Sequence, residues 1–194
     1  DFPGIPNVAA ICVYPAMAEY VRAALKDPKF NIACVSGVFP SSQSFIEVKI
    51  AETALALKAG ATEIDIVLSV GKFLEGRYQE CFDEIAELKA VCGEHHLKVI
   101  LETGLLKTAE NIWKASILSM AAGCDFIKTS TGFSTAGATF EDVKLFKEHV
   151  GKNVKIKAAG GIGSLEDAEK FMELGATRLG TSRIVKIVKE KGLL

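Results

Sequence analysis

A parallel α/β fold of the TIM (βα)8 barrel type is predicted by three features of this chain: strict strand–helix alternation, short connections and a weak internal repeat. The repeat is Gly60-Ala61-Thr62, Gly123-Cys124-Asp125 and Gly175-Ala176-Thr177, each closing a helix and opening a strand. Five residues on from these glycines stand Asp65, Lys128 and Gly180: an acid, a base and a glycine at corresponding places near the C-terminal ends of strands. No Pro-, Gly- or Ser-rich linker divides the 194 residues, so the chain reads as one domain, 1–194.

Taken in order, Ala9 to Tyr14 reads as a buried strand stopped by Pro15, with a helix over Met17 to Leu25. Asn31 to Val35 is a second strand, and a loop with Gly37 and Pro40 leads to an amphipathic helix over Ser44 to Lys58. Glu63 to Leu68 and Leu97 to Leu101 are the third and fourth strands, followed by helices over Gly76 to Val91 and Thr108 to Ala121. Asp125 to Lys128 is the fifth strand, and its helix, Thr139 to His149, opens on a capping pattern, Thr139 with Asp142. Val154 to Lys157 is the sixth strand, ahead of a helix over Ser164 to Leu174 with Ser164 as N-cap. Arg178 to Gly180 is a short seventh strand before a last helix, Ser182 to Lys189. A doubly wound sheet is the rival, but the G-x-G-x-x-G turn it wants after the first strand is absent. Seven units are one short of a closed barrel, so its first strand is expected upstream of Asp1.

Composition narrows the function classes. A hydrophobic share of 49% fits a large packed core, yet no stretch approaches 18 uninterrupted apolar residues, so no membrane span is expected. Asp1-Phe2-Pro3-Gly4 has neither the basic nor the apolar region of a secretion signal. A net charge of −1, with no basic run beyond the mixed Lys186 to Lys191 tail, argues against nucleic acid as a partner. The five cysteines are odd in number and scattered without a CxxC, which points to reduced thiols and a cytoplasmic setting.

The chemistry centres on Phe126-Ile127-Lys128-Thr129-Ser130-Thr131-Gly132, where a lysine sits in an apolar strand pattern. Burying an ammonium costs several kcal/mol unless it is compensated, and an edge-strand lysine facing solvent is the ordinary alternative. Other strands repeat the layout, however. Side chains alternate faces, so Ile64 and Ile66 oppose Glu63 and Asp65, Val99 opposes Lys98 and Ile100, Ile127 opposes Lys128, and Ile156 opposes Lys155 and Lys157. Outer helices need the apolar face, which turns Asp65, Lys98, Lys128 and Lys157 into the barrel. Buried lysines near a carboxylate suggest imine chemistry, because a lysine nucleophile must be neutral. A second ammonium ~4 Å away costs about 4 kcal/mol at an effective dielectric of ~20, enough to bring one amine near neutrality. Asp65 would then move protons.

Gly160-Gly161 followed by Ser164, and Gly180-Thr181-Ser182 opening the last helix, suggest a phosphate site. Glycines let backbone approach an anion, helix N-termini offer free N–H groups, and the last two loops of such barrels often hold phosphate. His95, His96 and His149 read as surface or cap residues, with no metal-ligand spacing, so no metal is expected. Cys12 shares a face with Ala10 and Tyr14, which would let it look into the pocket, but is read as a buried packing thiol; Trp113, on a helix, is read as core or surface packing.

Five stretches occur in a telling order: Ala9-Ala10-Ile11-Cys12-Val13-Tyr14-Pro15, Glu63-Ile64-Asp65-Ile66-Val67, Lys98-Val99-Ile100-Leu101-Glu102-Thr103-Gly104, Phe126 to Gly132, and Lys155-Ile156-Lys157-Ala158-Ala159-Gly160-Gly161. Along essentially its whole length the chain resembles the deoxyribose-phosphate aldolase family. The resemblance implies a TIM barrel and a class I aldolase with neither metal nor cofactor. It implies reversible cleavage of 2-deoxy-D-ribose 5-phosphate to D-glyceraldehyde 3-phosphate and acetaldehyde. By motif it implies Lys128 as the Schiff-base lysine, Asp65 as the proton relay and Lys157 as the lysine that tunes Lys128. Lys98 joins the same network on the substrate side, phosphate falls to Gly160, Gly161, Gly180 and Ser182, and Thr131 and Gly132 lie near the sugar. The family's first strand, with a D-x-T-x-L segment whose aspartate supports the second lysine, has no counterpart here, and Arg183 stands where many relatives have serine. A homodimer is expected by association with such barrels. Two readings compete: another phosphosugar enzyme on this fold, and a phosphate-ligand barrel without catalysis.

Overall fold

Alternating strand and helix segments are realised almost element for element in the computed structural model, which describes residues 8–192. The strands are β1 (Ile11–Val13), β2 (Ile32–Val35), β3 (Glu63–Val67), β4 (His96–Ile100), β5 (Phe126–Lys128), β6 (Lys155–Ala159) and β7 (Arg178–Gly180). They form one seven-stranded sheet in sequence order, every neighbouring pair parallel. Ion pairs reach across it: Lys157 of β6 and Arg178 of β7 both contact carboxylates on β3. Such contacts between distant strands require the sheet to curl on itself, as in a TIM barrel. Asp1-Phe2-Pro3-Gly4, and the strand expected upstream of it, lie outside the described residues.

Face alternation is the organising fact. Ile32, Cys34, Ile64, Ile66, Leu97, Val99, Ile127, Ile156 and Ala158 join the core that packs under the helices. The opposite set, including Glu63, Asp65, Lys98, Phe126, Lys128 and Lys157, is buried inside the curl. The helices over this outer face are α1 (Ala18–Ala24), α2 (Ile46–Lys58), α4 (Tyr78–Cys92), α6 (Ala109–Ala121), α7 (Phe140–His149), α8 (Leu165–Glu173) and α9 (Arg183–Glu190). Hydroxyl caps start three of them: Thr108, Thr139 and Ser164 accept the N–H groups of Asn111, Asp142 and Asp167 at 3.2, 3.1 and 3.0 Å.

Differences from the sequence reading fall at element ends, in the loops and in β1, expected to be buried but partly exposed because it is an edge strand. Pro15–Met17 is a 3₁₀ turn, and α1 begins only at Ala18, because Pro15 suits a helical start but the turn tightens around it. Strand β6 runs on to Ala159, two residues past the expected end at Lys157. Two short helices in the upper loops, α3 (Val70–Leu74) and α5 (Thr103–Leu106), are too brief to carry a readable helical period. Among the described residues no helix is long and apolar enough to cross a membrane.

One charge pair belongs to the scaffold. Lys49 of α2 reaches Glu84 of α4 at 2.7 Å, both buried, with the hydroxyls of Ser42 and Ser69 accepting at 2.8 and 3.2 Å. It ties the loops after β2 and β3 to the helical layer. Glu84→Leu alone should cost about 3–5 kcal/mol in urea unfolding, because it strands a buried ammonium, and adding Lys49→Met should recover most of that loss.

Candidate active site

Asp65, in the middle of β3, has no exposed surface, and three lysines converge on it. Its Oδ1 accepts from Lys98 Nζ at 2.7 Å, while Oδ2 accepts from Lys128 Nζ at 2.9 Å and Lys157 Nζ at 2.8 Å. Sheet register explains the convergence: Asp65 lies beside Lys98 on β4, and Lys128 of β5 beside Lys157 of β6. All four point inward by parity, and the curl carries the two pairs together.

Burial is the largest influence on the Asp65 carboxyl and pushes its pKa up. The charges of Lys128, Lys98 and Lys157 together outweigh that and hold it well below the usual carboxylate range. Asp65 is therefore an anion at neutral pH. A second buried carboxylate, Glu63, lies on the same inward face of β3. Lys98 Nζ is 2.8 Å from its Oε2, and Arg178 of β7 holds it through contacts of 3.1 to 3.5 Å. Burial raises the Glu63 pKa too, but Lys98 and Arg178 bring it below normal.

A cavity of about 460 Å³ opens beside this network along the seam between β1 and β7, where Ile11 and Arg178 line it, and takes in the C-terminal ends of β5 and β6. Lys128 and Lys157 line it, whereas Asp65 and Lys98 do not. Among the residues expected to contact substrate, Thr131, Gly132, Gly160, Gly180 and Ser182 line the same cavity. Gly161 sits just behind Gly160 and is not on the wall; both adopt positive φ, +77° and +82°, where a side chain would be strained. Lys98 is fully buried below, bonded to both carboxylates, so its place is in the charge network and not on the cavity surface. A Cβ on Gly180 would lie 3.3 Å from Lys157 Cε and 2.9 Å from the Ala159 Cβ, so the missing side chain leaves room for that lysine.

The other residues singled out in the sequence are peripheral. Cys12 is not the buried packing thiol expected but is exposed on the cavity lining, because β1 is an edge strand, and the Arg183 Nη1 comes within 3.9 Å of where a Gly163 side chain would begin. His96 faces Asp125 at 3.7 Å, and His149 packs against Trp113, ring centroids 5.8 Å apart. Sequence reasoning gave no role to Glu63 or Arg178, although Glu63 shares parity with Asp65, and Arg178 with Gly180. It also passed over Glu102, which has φ +55° and whose carboxylate accepts the Thr131 N–H at 3.1 Å and hydroxyl at 2.5 Å. That bond fixes the turn that follows Lys128.

A curled parallel sheet whose strand ends offer amines to a cavity is the architecture of a barrel aldolase. The chain belongs to the DeoC/LacD family aldolases, whose family model matches residues 5–181, and it is an enzyme. A deoxyribose-phosphate aldolase from Streptococcus agalactiae is 51% identical over 187 residues, 95% of this chain and 82% of that relative. Among solved structures, QR15, an aldolase, is similar with a TM-score of 0.87 and 37% identity, covering 96% of this chain and 84% of that one. A deoxyribose phosphate aldolase from Aeropyrum pernix, described as a unique tetrameric structure, matches with a TM-score of 0.80 and 30% identity over 94% and 77% of the two chains.

Because the native pKa of Asp65 is depressed, its contribution to stability is complete above about pH 5 and drains away as pH falls through the native value. Carbon-13 titration of the Asp65 carboxyl should show no carboxyl protonation step between about pH 4 and about pH 6; a step there would contradict the three-lysine geometry.

Proposed function

We propose that the enzyme is a class I aldolase that reversibly cleaves 2-deoxy-D-ribose 5-phosphate to D-glyceraldehyde 3-phosphate and acetaldehyde. The observation that carries this reading is the pair of amines, Lys128 and Lys157, sharing one oxygen of the buried Asp65 at a cavity wall. The name of the Streptococcus agalactiae relative supports the choice of substrate.

In this reading neutral Lys128 Nζ attacks C1 of the open-chain sugar, and loss of water gives a protonated imine. Removal of the C3 hydroxyl proton breaks the C2–C3 bond, its electron pair passing into an enamine, and glyceraldehyde 3-phosphate departs. The enamine takes a proton at C2, and hydrolysis returns acetaldehyde and the free amine. Asp65 relays these protons, directly or through water. A carboxylate compensated by three ammoniums is a poor base, but a neutral Lys128 removes the strongest of those attractions, so Asp65 gains basicity whenever that amine is uncharged. Lys157 supplies the positive charge that favours the neutral amine, and Lys98 holds the other carboxylate oxygen.

Gly160, Gly161, Gly180 and Ser182 are the proposed phosphate cradle, with backbone N–H groups at the start of α9 as donors, and Thr131 and Gly132 border the sugar. One catalytic domain, 1–194, acts on a phosphosugar with no metal or cofactor, as a homodimer in a cytoplasmic setting; five free cysteines are in keeping with that setting. Strands β1 and β7 do not pair with each other, so an eighth strand from upstream sequence is the proposed closure of the barrel.

Acetaldehyde with borohydride should add one ethyl group to Lys128, located by peptide mass mapping, and Lys128→Met should add none; a non-catalytic binder would carry no adduct. Lys157→Leu should keep the fold and move the pH–rate profile to alkaline pH by at least about one unit, since an ammonium at ~4 Å is worth about 4 kcal/mol at an effective dielectric of ~20. An unmoved profile would remove the tuning role.

A further inference from the structure

We propose that Glu63, clamped by Arg178, is a positioning residue that acts through Lys98 to keep Asp65 available to the reacting amine. The proposal rests on the imine reading of Lys128. Lys98 is fully buried and its ammonium is divided between two carboxylates, 2.7 Å from Asp65 and 2.8 Å from Glu63. Arg178 closes the far end of the chain at 3.1 Å from Glu63. The Phe126 ring lies between the cations, with Lys98 Nζ at 5.8 Å, Arg178 Cζ at 5.4 Å and Lys155 Nζ at 5.4 Å from its centroid. The ionic sequence is Arg178–Glu63–Lys98–Asp65, with Lys128 and Lys157 at its catalytic end.

The physical role follows from sharing. With Glu63 absent, Lys98 would turn its whole charge on Asp65, draw the carboxylate away from the cavity side and weaken it as a base. The interior would also gain one unit of positive charge, which favours the neutral amine at Lys128. Removing Arg178 does the reverse, since Glu63 is then less compensated and the interior more negative. The groups sharing the inward parity of this pair are Asp65 on β3, His96 and Lys98 on β4, Lys128 on β5, Lys155 and Lys157 on β6, and Cys12 on β1, while Cys34 of β2 lies on the opposite face. The Cys34 thiol, pushed up to about 11 by burial and then by Cys12 and Asp65, stays neutral throughout.

The test measures the pH dependence of acetaldehyde trapping by borohydride at Lys128, a readout free of phosphate, together with kcat and KM for sugar-phosphate cleavage. Glu63→Gln should move the acid limb of trapping to lower pH by about half a unit to one unit and lower kcat about tenfold with KM within about twofold. Arg178→Met should move that limb to higher pH. Limbs that shift in the same direction, or not at all, while the wild type still forms its Lys128 adduct would overturn the positioning role and leave the aldolase reading standing. If the wild type forms no adduct, both fall. Should Glu63→Gln fail to fold, the sign of the Arg178→Met shift decides alone, because Arg178 is partly exposed and its loss leaves Glu63 its bond to Lys98.

Discussion

A buried carboxylate with three ammoniums around it is the constraint on which the rest depends. An anion with no exposed surface is tolerable only if opposite charge stands at contact distance, and Asp65 finds it on three other strands. Each lysine is in turn acceptable inside the sheet only because Asp65 or Glu63 is there. The interior is thus electrostatically interlocked, and it fixes how far the sheet curls: β3, β5 and β6 must come near enough for side chains to meet across the lumen.

Backbone details serve the same end. Gly180 leaves space that Lys157 occupies, and a side chain on Gly137 would come within 2.6 Å of the Gly160 carbonyl carbon, so the loops after β5 and β6 close against each other only through glycine. Glu102 accepts a left-handed backbone, and its carboxylate holds Thr131, which in turn accepts the Phe133 N–H at 3.0 Å. Strain in one loop is coupled to order in the next, directly above the lysine proposed to react.

Much of this was legible in the chain. Period-two alternation in Glu63–Leu68 and Leu97–Leu101 identified the inward face, and the capping positions Thr139 and Ser164 marked true helix starts. The short helices Val70–Leu74 and Thr103–Leu106 were not legible, since one turn carries no period. The buried pair of Lys49 and Glu84 was hidden for another reason: on an amphipathic helix a lysine reads as solvent-facing, and only the partner helix, 35 positions away, makes it a core residue.

Local sequence therefore determined which residues face inward, because strand geometry sends every second side chain to one side whatever surrounds it. It determined the parallel order of the units for a similar reason, since short helical crossovers allow little else. Only the tertiary structure decided who meets whom. That Glu63 joins Arg178 across 115 positions, that Lys98 is divided between two carboxylates, and that Lys98 lies beneath the cavity and not on its wall depend on strand stagger and sheet curvature. Those are properties of the assembled sheet, and no single strand carries them.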